Sequence, residues 1–223
     1  HTLIAFGINS GQCKCQRLTF HFFQMKKGLN PANSIWFWGA GTRPALAPFV
    51  EKTGHTGAMI SAVDLLKGIA VGADMKVVEV EGANGGLDTN YEGKADAAVE
   101  ALLKDDLDFA YIHLEAPDEM GHQGSFERKV QAIENLDKRI IKRVTEQLEA
   151  AGTDFRMLVL PDHPTPVAIR THVSDPVPYM LYDSTNKQSH TWNYNEKEAQ
   201  KDDPDEYGKV RNEINRGYRK GES

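Results

Sequence analysis

Short apolar runs and helical periodicities take turns along this chain. The runs GAMIS (57–61), KVVEVE (76–81), FAYIHLE (109–115), RMLVLP (156–161) and VPYMLYD (177–183) are bounded by turn residues and read as strands. FAYIHLE and RMLVLP are almost wholly apolar, as expected of strands buried on both faces. Between them, SAVDLLKGIAVG (61–72) reads as a short helix stopped by glycine. A second helix is expected from Tyr91 to Leu103, with Ala95, Ala98 and Leu102 near one face. The longest is expected over 125–151. There Phe126, Val130, Ile133, Leu136, Ile140, Val144 and Leu148 recur at spacings of three or four. The stretch 82–90 (GANGGLDTN) is a loop rich in turn residues.

Toward the N-terminus the pattern is weaker. LTFHFFQ (18–24) and NSIWFWGAG (33–41) are candidate strands, and the prolines of TRPALAP (42–48) forbid an uninterrupted helix there. From Ser184 onward the chain is dominated by Asn, Lys, Glu, Asp and Gly, which suits a polar surface tail. Strands and helices that alternate at this spacing predict an α/β fold, three layers around a mostly parallel central sheet. Residues 1–31 show no clear period, and the polar tail is 184–223.

Composition narrows the classes. With 223 residues, 40% hydrophobic and 26% charged, the chain is neither disordered nor collagen-like. A net charge of −6 argues against a nucleic-acid partner, since such binders carry a basic face. No apolar run reaches 18 residues, so no membrane span is expected. Cys13 and Cys15 are too close for an ordinary bridge and read as plain thiols, which places the protein in the reducing cytoplasm. The chain opens on His1 without a signal-peptide pattern and is expected to be an incomplete gene product.

The candidate chemistry follows the strand ends. After FAYIHLE comes APDEMGHQG, with Asp118 and His122; after RMLVL comes PDHPTP, with Asp162 and His163; His172 follows in RTHVSDPVP. Ligand sites in open α/β sheets lie beyond the carboxyl ends of the strands. Five such residues in three post-strand segments therefore suggest one metal centre. Carboxylates with imidazoles suit borderline divalent ions, and grouped anionic ligands need a cation between them. A pair of ions there would hold a phosphate and activate a hydroxyl nucleophile. For each residue taken singly, a surface or capping role is the alternative. Lys67 and Arg43 are candidates for meeting a phosphate, or are solvated cations. Asp88 and Asn90 either bind substrate or hold their turn. His113, on the same strand face as Glu115, either supports the metals or is a satisfied core histidine. His55 reads as a loop residue.

NPANSIWFWGAG, GAMISAVDLLKGIA, LDTNYEGKADAAVEAL, HLEAPDEMGHQG and LPDHPTPVAIRTHVSDPVPYMLYD together resemble the C-terminal half of the archaeal-type cofactor-independent phosphoglycerate mutases. That family belongs to the alkaline phosphatase superfamily, and the resemblance covers about residues 28–183; it implies three regions, a poorly matching 1–27 that is a remnant of the family's inserted domain or joined pieces, the metal-binding α/β domain 28–183, and the polar tail 184–223. It implies an alkaline-phosphatase-like fold, here incomplete, and an isomerase that interconverts 2- and 3-phosphoglycerate through a phosphoserine. It implies two divalent ions, manganese first, zinc or magnesium otherwise. Asp118, His122 and His172 would hold one, Asp162 and His163 the other. Basic residues would orient the substrate, for which Lys67, Arg43, Asp88 and Asn90 are this chain's candidates. The family's nucleophilic serine has no match here, and Ser10 is not promoted to that role, so the catalytic nucleophile is expected outside this chain. The partner is a phosphorylated small molecule, with no nucleic acid and no membrane, and the oligomeric state is open. Two other readings remain: a metal-dependent phosphatase or phosphonate hydrolase, and a non-catalytic metal-binding domain.

Overall fold

The computed structural model describes residues 25–29, 42, 44–187 and 193–199. The candidate strands at 18–24 and 33–41, both cysteines, Ser10 and Arg43 lie outside the described residues. The chain divides into two compact units, 1–45 and 46–223. Within the first, residues 25–28 form a helical turn, closed where the Gly28 N–H donates to the Met25 carbonyl (3.0 Å).

The second unit is built on a parallel three-stranded sheet. Its order is β2 (Lys76–Val77), β1 (Gly57–Ile60), β3 (Phe109–Ile112). The central strand β1 is uncharged and buried at all four positions. On one face, Ala58 and Ile60 pack against Ala98 and Ala101 of helix α1 (Tyr91–Leu103). The small alanines let this helix approach the sheet closely. On the other face Gly57 leaves room for Phe49 and Met75, whose side chains a Cβ would meet at 3.0–3.1 Å. Phe49 also stacks on Phe109, the register partner of Gly57, at 5.4 Å between ring centroids. The sheet is thus covered from both sides, an α/β layering.

The helix start at Tyr91 is set by Asn90. Its Oδ1 accepts from the Gly93 N–H (2.9 Å), while its Nδ2 donates to the Glu81 carbonyl (2.8 Å). The strand expected over 76–81 ends at Val77. The Val78 N–H still donates to the Met59 carbonyl, but the Glu81 carbonyl is taken by a side chain and Gly82 turns the chain at φ 75°.

Helix α2 (Phe126–Asn135), a π-helical turn (Leu136–Ile141) and helix α3 (Lys142–Ala150) form one run matching the expected 125–151. Ala132, Ile140, Val144 and Leu148 join Tyr91, Ala95 and Val99 in the main core. Along the rim, Arg139 grips Glu92 with two bonds of 2.6 Å and Arg143 grips Asp96 with bonds of 2.7 and 2.8 Å. The Arg139 guanidinium also lies 4.5 Å over the Tyr91 ring.

Three further elements differ from the sequence-based expectation. Residues 116–122, read from the sequence only as a segment following a strand, form helix α4 (Ala116–His122). Pro117 in its first turn pre-sets the backbone, and Asp118 and Glu119 suit the positive end of the helix dipole. Strands β4 (Arg156–Val159) and β5 (Met180–Asp183) pair antiparallel with each other, apart from the parallel sheet. β4 is half open, with Leu158 exposed, and packs through Met157 on the main core.

Candidate metal centre

Helix α4 puts Asp118 and His122 one turn apart on the same side, with Asp118 Oδ2 3.3 Å from His122 Nε2. The segment after β4 folds back on itself: the Ile169 and Arg170 N–H groups donate to the Pro166 carbonyl, and the Val173 N–H to the Pro164 carbonyl. This brings His172 to the same place. Its Nε2 lies 3.3 Å from Asp118 Oδ1 and 3.0 Å from His122 Nε2. One ligand atom from each of Asp118, His122 and His172 falls within 4.8 Å of the others.

The direction of these atoms matters as much as their spacing. His122 Nδ1–H donates to the Arg170 carbonyl (2.9 Å). With that proton committed, the neutral ring presents a bare Nε2 lone pair to the cluster. A carboxylate and two imidazole nitrogens therefore face one another. Two ligand atoms each about 2.1 Å from one ion stand about 3.0–3.4 Å apart. The observed 3.0–3.3 Å separations fit that requirement, and the oxygen-plus-imidazole set suits a borderline divalent ion.

His163 stands beside this triad. Its ring centroid is 3.6 Å from that of His172, and its Nδ1 is 3.9 Å from Asp118 Oδ1. Asp162 lies further out, 86% exposed, with Oδ2 3.8 Å from His163 Nε2. Among the described residues, Asp118, His122 and His172 form the one group of three that gathers tightly enough to hold an ion.

The remaining candidates are spread out. Lys67 forms an ion pair with Glu79 at 2.7 Å. Asn90 is engaged in capping its helix. Asp88 borders a cleft of about 490 Å3 with Leu87, Met120, Gln123, Arg128 and Gln131. His113 sits just past β3, half-buried, with Nδ1 3.4 Å from Ser61 Oγ; burial, then Lys94, holds its pKa below the ordinary value. His55 lies 3.7 Å from Asp108.

Three supporting groups carry no signal in the sequence pattern. The first is the Arg170 carbonyl, held by a left-handed backbone at φ 58°. The second is Thr165, whose hydroxyl donates to Asp118 Oδ1. The third is Lys94, fully buried, whose Nζ donates to the carbonyls of Asn84 (3.4 Å) and His113 (3.3 Å). It ties the 82–90 loop to the end of β3. Burial lowers the Lys94 pKa, and burial likewise raises that of neighbouring Glu115.

The chain is 54% identical over 159 residues to a 2,3-bisphosphoglycerate-independent phosphoglycerate mutase of Methanosarcina acetivorans, covering 71% of this chain and 40% of that protein. A Methanosarcina barkeri protein of the same description is 53% identical, covering 74% and 42%. A Geobacter sulfurreducens protein described as a probable mutase of this kind is 46% identical, covering 86% and 48%. The chain thus spans less than half the length of these curated relatives. Among solved structures, the PH0037 protein from Pyrococcus horikoshii superposes with a TM-score of 0.66 at 32% identity, covering 74% of this chain and 48% of that one. The alkaline-phosphatase-like fold and mutase resemblance read from the motifs agree with these matches. The description "metalloenzyme superfamily" matches residues 16–212, nearly the whole chain, and the chain belongs to that superfamily.

Proposed function

We propose that the protein carrying this chain interconverts 2-phosphoglycerate and 3-phosphoglycerate by metal-dependent phosphoryl transfer through a serine outside this chain. The observation that carries this reading is the convergence of Asp118, His122 and His172, in a chain whose curated relatives are described as such mutases. These three side chains hold one divalent ion, and Asp162 with His163 contribute to a second. Manganese is the first choice, zinc or magnesium the alternatives. Divalent ions bound there would neutralise phosphate charge and activate a hydroxyl nucleophile. The chain's own residues orient the ligands. The Arg170 carbonyl keeps the proton of His122 on Nδ1, and helix α4 keeps Asp118 and His122 in step. Residues 28–183 make up the metal-binding domain and 184–223 a polar tail. Lys67, Arg43, Asp88 and Asn90 are its candidates for orienting the substrate. The protein works on a phosphorylated small molecule in the cytoplasm.

The test is phosphorus NMR of 3-phosphoglycerate with the intact protein and Mn2+. The expected result is the 2-phosphoglycerate resonance without inorganic phosphate. Phosphate release alone would replace the mutase reading with a phosphatase or phosphonate hydrolase. Metal binding without turnover would leave a binding domain.

A further inference from the structure

We propose that Thr165 is a positioning residue of the metal centre, whose single hydroxyl fixes both the Asp118 carboxylate and the His163 ring. Thr165 is only 2% exposed, among the few buried polar residues described. Its Oγ1 donates to Asp118 Oδ1 and lies 3.3 Å from His163 Nδ1. A hydroxyl carries one proton and two lone pairs. With the proton given to Asp118, it accepts from His163 Nδ1–H. That choice leaves His163 Nε2 bare and directed toward Asp162 (3.8 Å). One oxygen thereby sets a carboxylate rotamer in one ligand group and an imidazole tautomer in the other.

The threonine is itself anchored. Its carbonyl accepts from Lys129 Nζ (2.6 Å), a half-buried ammonium on helix α2. Gly121, one residue before His122, makes this approach possible. A Cβ there would run into the Thr165 carbonyl oxygen and come within 3.0 Å of Lys129 Nζ. Three chain segments thus meet at Thr165: the ligand helix through Gly121, helix α2 through Lys129, and the 162–173 loop. Groups that orient metal ligands typically contribute 10–100-fold to affinity.

This inference rests on the metal reading above, and the test separates the two. Mn2+ is titrated into the wild-type chain and into the Thr165→Val and Thr165→Ser variants, with free Mn2+ followed by electron paramagnetic resonance. Valine keeps the shape and loses the hydroxyl; serine keeps the hydroxyl. The valine variant should bind Mn2+ about 10–100-fold more weakly and the serine variant within about threefold of wild type. Without metal, nitrogen NMR should find His163 Nε2 unprotonated in wild type and the tautomer mixed in the valine variant, which a purely structural role would not produce. Wild-type affinity in the valine variant, or equal loss in both variants, overturns the role of the hydroxyl. If the valine variant fails to fold, Thr165→Ala against Thr165→Ser decides by the same criterion. Absence of Mn2+ binding in wild type would sink the metal reading and this inference with it.

Discussion

Two polar clusters on adjoining helices differ in how their charges face one another. Along the rim between α1 and the 126–150 helical run, each acid meets a base. Arg139 holds Glu92 and Arg143 holds Asp96 through paired bonds, and in each case the arginine contact is the main cause that lowers the carboxylate pKa. At the end of α4 the polar atoms are mismatched. A carboxylate faces two imidazole nitrogens, and those nitrogens face each other at 3.0 Å. The first cluster is complete as it stands. The second turns three metal-ligating atoms toward one point, and this difference, not the count of polar residues, separates a structural rim from a candidate ligand site.

Substitutions can break this contrast from either side. The largest effect is expected at the mismatched cluster. Asp118→Asn removes the only carboxylate of the triad and should weaken Mn2+ binding by more than about 100-fold, beyond what an orienting group contributes. Calorimetric titration checks it, and an unchanged affinity would place the ion elsewhere. The matched rim should respond in stability and not in metal binding. Arg139→Met removes a half-exposed bidentate pair and a contact over Tyr91, so it should cost about 1 kcal/mol. For a chain of this size that corresponds to a melting point lower by about 2–4 °C. Mn2+ affinity should stay as in wild type; a drop would show the two clusters to be coupled.

The smallest effect sharpens the contrast through pH. Asp183 on β5 is bonded by the Thr185 hydroxyl and the Arg156 guanidinium, which lower its pKa from 3.8 to about 2. A carboxylate depressed in the folded state stabilises fully above pH 3.8 and loses that contribution as pH falls through about 2. Asp183→Asn should therefore flatten the decline of the urea midpoint between those two pH values. A decline as steep as in wild type would assign the acid sensitivity to other carboxylates.

Periodicity made much of this fold legible. The helix expected over 91–103 has those bounds, because Asn90 caps it and its alanines face the sheet. The long helix was readable for the same reason, although its π turn was not. Strand environment was harder. β1 and β4 are both short and mainly apolar, yet β1 is buried throughout and β4 is half open, because burial depends on neighbours distant in sequence. At the site, the residues Asp118, His122 and His172 could be picked out by type and spacing, but not the helix that carries the first two. Pro117 is the one local signal of that helix start. Thr165 and Lys129 were beyond reach. Their contacts span 47 and 36 residues, and nothing local marks a hydroxyl or an ammonium for such a partner. Lys67 and Asn90 show a further limit: sequence named them as candidates without indicating the ion pair and the helix cap in which the structure engages them.

The Arg170 backbone has a consequence for how this protein can vary. What position 170 gives to His122 is a carbonyl oxygen held at a left-handed turn, and every amino acid carries a carbonyl. Glycine or asparagine would adopt that conformation more readily than arginine, whereas proline could not adopt it at all. For the bond to His122, selection at this position therefore acts on a dihedral angle. Its role would be written in the set of forbidden residues, and a tally of the commonest residue there would miss it.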